Sequence, residues 1–292
     1  MKRQIDCGKE ILLVTVVTVT YNAEEFLERT IKSVIEQDYP NIEYIIIDGG
    51  SNDGTIDIIK KYEKNINYWV SEPDKGIYDA MNKAILKASG KWINFMNAGD
   101  YFVDKHVVSL VTKKINFTAS IICGDIIMTD EDHTNKKYRQ SMGLNSIWET
   151  IPCWHQAMFI STALMKSNLY DTQLQIASDY DFMLKSYTQG VYFQFLDMPI
   201  CYFLLGGINN QKALTTKIET LFVLSRYIKD ESLIQNSVWY RSITQKSTIE
   251  NRILFSNIFS KINTIINNVE INYKKIVLYG YGEFGKYVAN KL

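Results

Sequence analysis

The sequence predicts an α/β fold: a mixed, largely parallel sheet flanked by helices, followed by a C-terminal helical extension. Three observations carry this. The first hundred residues alternate between short β-branched runs and segments of helical periodicity, as βαβ units do. Polar residues collect where each run ends. After Gly206-Gly207 the chain turns to long Ile, Leu, Asn and Lys segments with helical spacing.

Taken in order, Ile11 to Thr20 (ILLVTVVTVT) reads as a strand buried on both faces. Asn22, with Glu25 three residues on, reads as the cap of a helix whose inner face is Phe26, Leu27, Ile31, Val34 and Ile35. Glu43 to Asp48 is the second strand, Gly49 to Gly54 a turn, and Ile56, Ile58, Ile59 and Tyr62 mark the next helix. A third strand, Ile66 to Val70, leads through Glu72, Pro73, Asp74 and Gly76 into a helix carrying Ile77, Met81, Ile85 and Ala88, with Gly90 placed to stop it. The fourth strand, Lys91 to Met96, runs into Asn97-Ala98-Gly99-Asp100. Further on, Ile121 to Gly124 ending at Asp125, Trp154 to Ile160 and Val191 to Leu205 read as strands, Asp130 to Lys137 as a hairpin turn and Ser178 to Thr188 as a helix.

In an open parallel sheet the ligand crevice lies beyond the carboxyl ends of the strands. Tyr21 and Asn22, Asp48, Glu72 and Asp74, and Asn97 to Asp100 therefore describe one site.

Composition narrows the classes of function. With 32 basic and 32 acidic residues in 292, the chain lacks the basic excess of a dedicated nucleic-acid binder. Cys7, Cys123, Cys153 and Cys201 have no C-x-x-C spacing, which argues against a zinc ribbon or dithiol site and for packed thiols in a reducing compartment. No apolar run reaches the roughly 20 residues a membrane span needs, and no signal sequence opens the chain, so a cytoplasmic location is expected.

Two C-terminal features stand apart. The stripe Ile253, Leu254, Phe255, Ile258, Phe259, Ile262, Ile265, Ile266 and Val269 suits packing on the chain's own domain or on a second copy, giving a homodimer through these helices. Its Asn-rich polar face suits a membrane surface less well. Gly280-x-Gly282-x-x-Gly285 follows a strand and opens a helix, but too few residues follow for a βαβ unit of roughly 30 or more, so no cofactor is assigned to it.

Four segments carry the functional reading: Val16 to Asn22 (VVTVTYN), Ile47 to Thr55 (IDGGSNDGT), Ser71 to Asn82 (SEPDKGIYDAMN) and Phe95 to Asp100 (FMNAGD). In this order they resemble the motifs of family 2 glycosyltransferases with the Rossmann-like GT-A fold, and are similar to the branch that builds bacterial O-antigen and capsule repeat units. The resemblance spans about residues 12 to 208 and implies a GT-A domain over residues 1–210; the helical spacing beyond it marks 211–272 as a helical extension, and the strand and glycine motif mark 273–292 as the start of a truncated Rossmann-like βα unit.

The resemblance also implies roles. Asn97 to Asp100 stands at the D-x-D position, making Asp100 the ligand of Mn²⁺ or Mg²⁺, with Gly99 where many members carry a ribose-binding aspartate. Asp48 matches the first acid of the pair at the nucleobase, and Gly49 replaces the second. Tyr21 and Asn22, with Thr20 beside them, fall at the base wall, Asp74 near base or ribose, and Asn82 near the donor. Ala177 to Asp181 (ASDYD) resembles the segment holding the catalytic base, which assigns that role to Asp179, with Asp181 as the fallback. His155 and Gln156 match an acceptor-side position, and Gly206, Gly207 and Asn209 a lid.

The implied activity is an inverting transfer of a sugar from a nucleotide diphosphate sugar, UDP-linked in the first instance, to a hydroxyl of a glycan or lipid-diphosphate-linked saccharide. Peripheral contact with the inner face of the cytoplasmic membrane would follow from such an acceptor. Two other classes are kept beside it. A nucleotidyltransferase acting on sugar phosphates would want a Gly-rich, basic loop after the first strand, where this chain has Tyr21-Asn22-Ala23-Glu24-Glu25. A catalytically inert nucleotide-sugar-binding module would have no need of both Asp100 and Asp179.

Overall fold

The structure, a computed structural model, describes residues 11–132, 134–206 and 213–244. Its centre is β1 (Val14–Thr20), buried at all seven positions as its β-branched sequence requires. β2 (Ile42–Asp48) pairs with it in parallel, Thr20 opposite Asp48, and β3 (Tyr68–Ser71) extends the sheet beyond β2 in the same sense. On the other side of β1 lies β4 (Trp92–Phe95), also parallel.

Beyond β4 the direction changes. β8 (Met158–Ser161) runs antiparallel to β4, and β6 (Ile121–Thr129) antiparallel to β8. β9 (Phe193–Leu204) is parallel to β6, and β5 (Tyr101–Phe102) closes the edge, while β7 (Lys136–Arg139) hangs on β6 as a hairpin. Among the described residues the order is β3-β2-β1-β4-β8-β6-β9-β5, with β7 off this path.

Side chains alternate across this sheet into two apolar layers. Val14, Val16, Tyr44 and Ile46 face α1 (Leu27–Ile35), α2 (Thr55–Lys61) and α4 (Val107–Lys114). Val17, Val19, Ile45, Ile47, Ile93 and Phe95 face α3 (Ile77–Lys87), α5 (Thr162–Ser167) and α6 (Ser178–Thr188). The helix α7 (Ala213–Tyr227) joins the second layer through Leu221, Val223 and Leu224, followed by α8 (Glu231–Gln235) and α9 (Val238–Thr244). Among the described residues no helix is long and apolar enough to cross a membrane.

Several expectations change. Asn22 does not cap the first helix: its backbone is left-handed (φ 45°), its amide oxygen accepts from the Asn52 N–H at 3.0 Å, and α1 begins at Leu27. Gly90 is not the stop of α3, which ends at Lys87. A side chain there would lie 2.6 Å from the Thr15 backbone, so glycine lets the turn close onto β1. Residues His155–Ala157 form a 3₁₀ turn ahead of β8 rather than part of the strand. Asp125 does not end β6 but sits within it, buried at the irregularity in the β6–β9 pairing and bonded by Tyr138 and Ser141. Cys123, Cys153 and Cys201 are buried free thiols. Cys7, Gly207, Asn209, the apolar stripe 253–269 and the glycine motif 280–285 lie outside the described residues.

Candidate active site

The carboxyl ends of β1, β2 and β4 and the turn that enters β8 meet at one place. Because β8 is antiparallel to β4, its beginning adjoins β4's end, and Asn94 fastens the two by donating to the carbonyls of Gln156 and Met158, 2.9 Å each. His155 and Gln156 are thereby brought beside Asn97 and Asp100.

Three acids in this region differ in how much of their accepting capacity is used. An ionised carboxylate offers about four lone-pair sites. Asp48, fully buried, accepts four bonds: Oδ1 from the Ser51 hydroxyl (2.5 Å), and Oδ2 from Gly50 N–H (3.1 Å), Ser51 N–H (2.9 Å) and the Ser71 hydroxyl (2.6 Å). These bonds fold the turn after β2 and tie it to β3.

Asp100 uses less. Its Oδ2 accepts from the Gln156 side-chain amide at 3.0 Å and its Oδ1 from the Leu204 N–H at 3.0 Å. Burial pushes its carboxyl up to about 6 in spite of these two bonds and the nearby His155 ring. Among the described residues no ion pair engages Asp100. The turn beneath it is held by Thr30 of α1, whose hydroxyl donates to the Asp100 carbonyl (2.7 Å) and accepts from the Gly99 N–H (3.1 Å). Gly99 has φ 103°, a backbone that favours glycine.

Asp179, at the start of α6, stands between these extremes. Oδ1 accepts from the Tyr180 N–H (2.8 Å) and faces the Tyr78 hydroxyl (3.2 Å); Oδ2 faces His155 Nδ1 at 2.9 Å and keeps a lone pair unused. A carboxylate can only accept, so the ring proton sits on Nδ1, and Nε2 accepts from the Asn97 amide at 3.0 Å. Burial raises the Tyr78 hydroxyl well above its ordinary value, as does the Asp179 charge, so Tyr78 acts as a neutral donor. Asp179 and Asp100 are thus joined through consecutive residues, one to His155 and the other to Gln156.

The donor side is built on a gap. Gly49 lies under the Tyr21 ring and the Asp74 carboxylate: a side chain there would meet Asp74 Oδ2 at 2.6 Å and Tyr21 Cδ2 at 3.3 Å. Tyr21 is 63% exposed, an aromatic face open to solvent at a strand end. Asn22 knits the two turns instead of lining the gap, its N–H donating to the Ser51 hydroxyl at 2.8 Å. The Thr20 hydroxyl is buried without a partner.

Two expected residues point elsewhere. Asn82 exchanges two bonds of 2.9 Å with the Tyr170 backbone, which occupies both ends of its amide, so it braces a loop rather than reaching the donor. Asp181, two residues along α6 from Asp179, faces away and pairs with Arg226 at 2.9 Å and the Tyr227 hydroxyl at 3.1 Å. Thr30, Ser71, Tyr78 and Glu219 are site-shaping residues that the sequence reading did not single out. Ser71 and Tyr78 lie within the Ser71 to Asn82 segment, whereas Thr30 and Glu219 lie outside all four motifs.

The donor set suits a hard divalent cation. Beside the half-used Asp100 carboxylate, the amide oxygens of Asn97 and Gln156 are buried without partners, giving an all-oxygen environment. Among the described residues no group of three or more His, Cys, Asp or Glu side chains is arranged around an ion, so one acid would carry such a site, with phosphate oxygens and water completing it.

A sequence profile described as "Glycosyl transferase family 2" matches residues 15–184. An uncharacterised glycosyltransferase of Mycobacterium tuberculosis is 33% identical over 186 residues, covering 59% of this chain and 68% of its own. A Bacillus subtilis protein provisionally named for teichuronic acid biosynthesis is 41% identical over 91 residues, 30% of this chain and 36% of its own. S. aureus TarS, solved with UDP-GlcNAc, superposes with a TM-score of 0.64 at 18% identity, covering 96% of this chain and 88% of its own. A Pyrobaculum calidifontis mannosyltransferase with GDP-Man and Mn²⁺ gives 0.59 at 14% identity, covering 97% and 87%.

Proposed function

This chain belongs to glycosyl transferase family 2 and is a glycosyltransferase, and from that premise we propose an inverting transfer from a UDP-linked sugar to a hydroxyl of a glycan or lipid-diphosphate-linked saccharide in surface polysaccharide synthesis. The observation that carries it is the pairing of a base-like acid with a cation-ready acid across the His155–Gln156 turn, at 2.9 Å and 3.0 Å respectively.

In this reading the nucleobase lies against Tyr21 over Gly49, with Asp74 accepting from its ring N–H. Asp100, with the amide oxygens of Asn97 and Gln156, would hold Mn²⁺ or Mg²⁺, and the cation would supply positive charge against that which grows on the departing diphosphate. Asp179 offers its unused lone pair to the acceptor hydroxyl and takes its proton as the oxygen attacks the anomeric carbon from the face opposite the diphosphate. His155 holds the carboxylate through Nδ1, while Asn97 holds His155.

UDP and UDP-GlcNAc in the TarS crystals and the Bacillus relative's name support the donor class and the polysaccharide setting. A lipid-linked acceptor places the enzyme at the inner face of the cytoplasmic membrane. Calorimetry with a panel of nucleotide sugars, with and without Mn²⁺, tests the donor, and NMR of the product anomer tests inversion. Full transfer by Asp100→Asn and Asp179→Asn, or pyrophosphate as the released product, would overturn the reading.

A further inference from the structure

Asp179 occupies the first turn of α6, yet no side chain within that helix caps it. The neighbouring N–H groups are taken by a residue more than forty positions on. Glu219, on α7 and only 2% exposed, accepts from Gln175 N–H at 2.9 and 3.0 Å through its two oxygens, from Ile176 N–H at 2.8 Å and from Ala177 N–H at 3.2 Å. These are the last three residues before α6. The Ile176 carbonyl in turn accepts from the Tyr78 hydroxyl, which also lies 3.2 Å from Asp179 Oδ1.

A tyrosine hydroxyl has one proton, so Tyr78 divides it between Ile176 and Asp179 according to how the Ile176 peptide is turned. Glu219 sets that turn. A buried carboxylate bonded to several peptide N–H groups is a stiff anchor, because releasing any of them leaves a buried donor unpaired. Arg226, two helical turns along α7, clamps the same region from its far side by bonding Asp171 at 2.8 Å and Asp181 at 2.9 Å.

We propose that Glu219 is a positioning residue for the base: α7, lying beyond the sheet, fixes the peptide that orients Tyr78 and with it the Asp179 carboxylate facing His155. The proposal rests on the reading of Asp179 as base for its functional meaning, but its geometry can be tested apart from turnover.

The chain has three histidines, so the side-chain ¹H–¹⁵N resonance of His155 can be assigned by comparison with a His155→Gln variant. In the full chain the Nδ1–H bonded to Asp179 resonates far downfield. Glu219→Gln, which brings an amide NH₂ against peptide N–H groups, moves this resonance towards its position in Asp179→Asn. Glu219→Asp, which keeps the charge but retracts it by one methylene, gives a smaller displacement in the same direction. UDP affinity in the presence of Mn²⁺, measured by calorimetry, stays within twofold of the parent for both.

An unmoved His155 resonance in a folded Glu219→Gln protein overturns the proposal, as does failure of both Glu219 variants to fold, which would make the residue a fold determinant only. If Asp179→Asn retains transfer, the base reading fails, while the His155 resonance still reports whether Glu219 orients that carboxylate.

Discussion

Gln156 donates its side-chain amide to Asp100 at 3.0 Å, and both residues are buried. Such a partner fixes a metal-ligating carboxylate in orientation and in basicity, and its loss typically lowers metal affinity by about 10- to 100-fold. Gln156→Leu should weaken Mn²⁺ binding by that factor while the fold is kept, as read by calorimetry in the presence of UDP. Unchanged affinity would remove Gln156 from the site.

His155 is bonded on both ring nitrogens, to Asp179 and to Asn97. His155→Ala removes the donor from Oδ2 and leaves Asp179 held through Oδ1 alone, by the Tyr180 N–H and the Tyr78 hydroxyl. Turnover should drop on the order of 10²- to 10⁴-fold, the span of a positioned base, with the Michaelis constant for the donor little changed. Steady-state kinetics with the donor found by calorimetry separates the two parameters.

The gap at Gly49 is sized for what stands over it. In Gly49→Ala the new methyl would sit 2.6 Å from Asp74 Oδ2, so Asp74 must turn away from the slot beside Tyr21. UDP affinity should fall about tenfold, equivalent to about 1.4 kcal/mol, with thermal stability nearly constant because the displaced atom ends a side chain. Retained affinity would place the nucleobase elsewhere.

Glu43 gives a pH-dependent stability. Burial raises its carboxyl, but bonds from the Ser89 hydroxyl (2.6 Å), the Thr15 hydroxyl (2.5 Å) and the Ser89 N–H (2.8 Å) outweigh burial and hold it below the ordinary glutamate range. A carboxyl lowered on folding stabilises the protein fully above its unfolded value and loses that contribution as pH falls through the folded one. Glu43→Gln should therefore cost about 1 kcal/mol at pH 7, a figure kept small because the group is partly solvated. The gap in melting temperature should close in acid; a constant gap from pH 7 to pH 3 contradicts the assignment.

The parallel half of the sheet was legible because its signals are local. Continuous β-branched runs such as Val14 to Thr20 and the spacing of Leu27, Ile31 and Val34 report burial within a few residues. What could not be read depends on partners distant in the chain. Asp48 carries no local sign that its carboxylate also receives the Ser71 hydroxyl from the next strand, and Asn82 looks available until the Tyr170 backbone takes both ends of its amide. Asp179 and Asp181 are indistinguishable as letters. One faces His155 and the other Arg226 only because successive odd positions on a helix point to nearly opposite sides. Glu219 carried no local mark, since its function lies in three peptide groups of another segment.

The reversal of direction at β8 has a consequence for how such a molecule can diversify. Where β4 meets β8, the loops that follow parallel strands face a loop that precedes an antiparallel one, and Asn94 rivets them from the core side. Changes in the turn before β8 can then reshape one bank of the crevice while the opposite bank, anchored by β1 and β2, keeps its form. The two banks of the crevice thus rest on different strands, β1 and β2 on one side and the β4–β8 junction on the other.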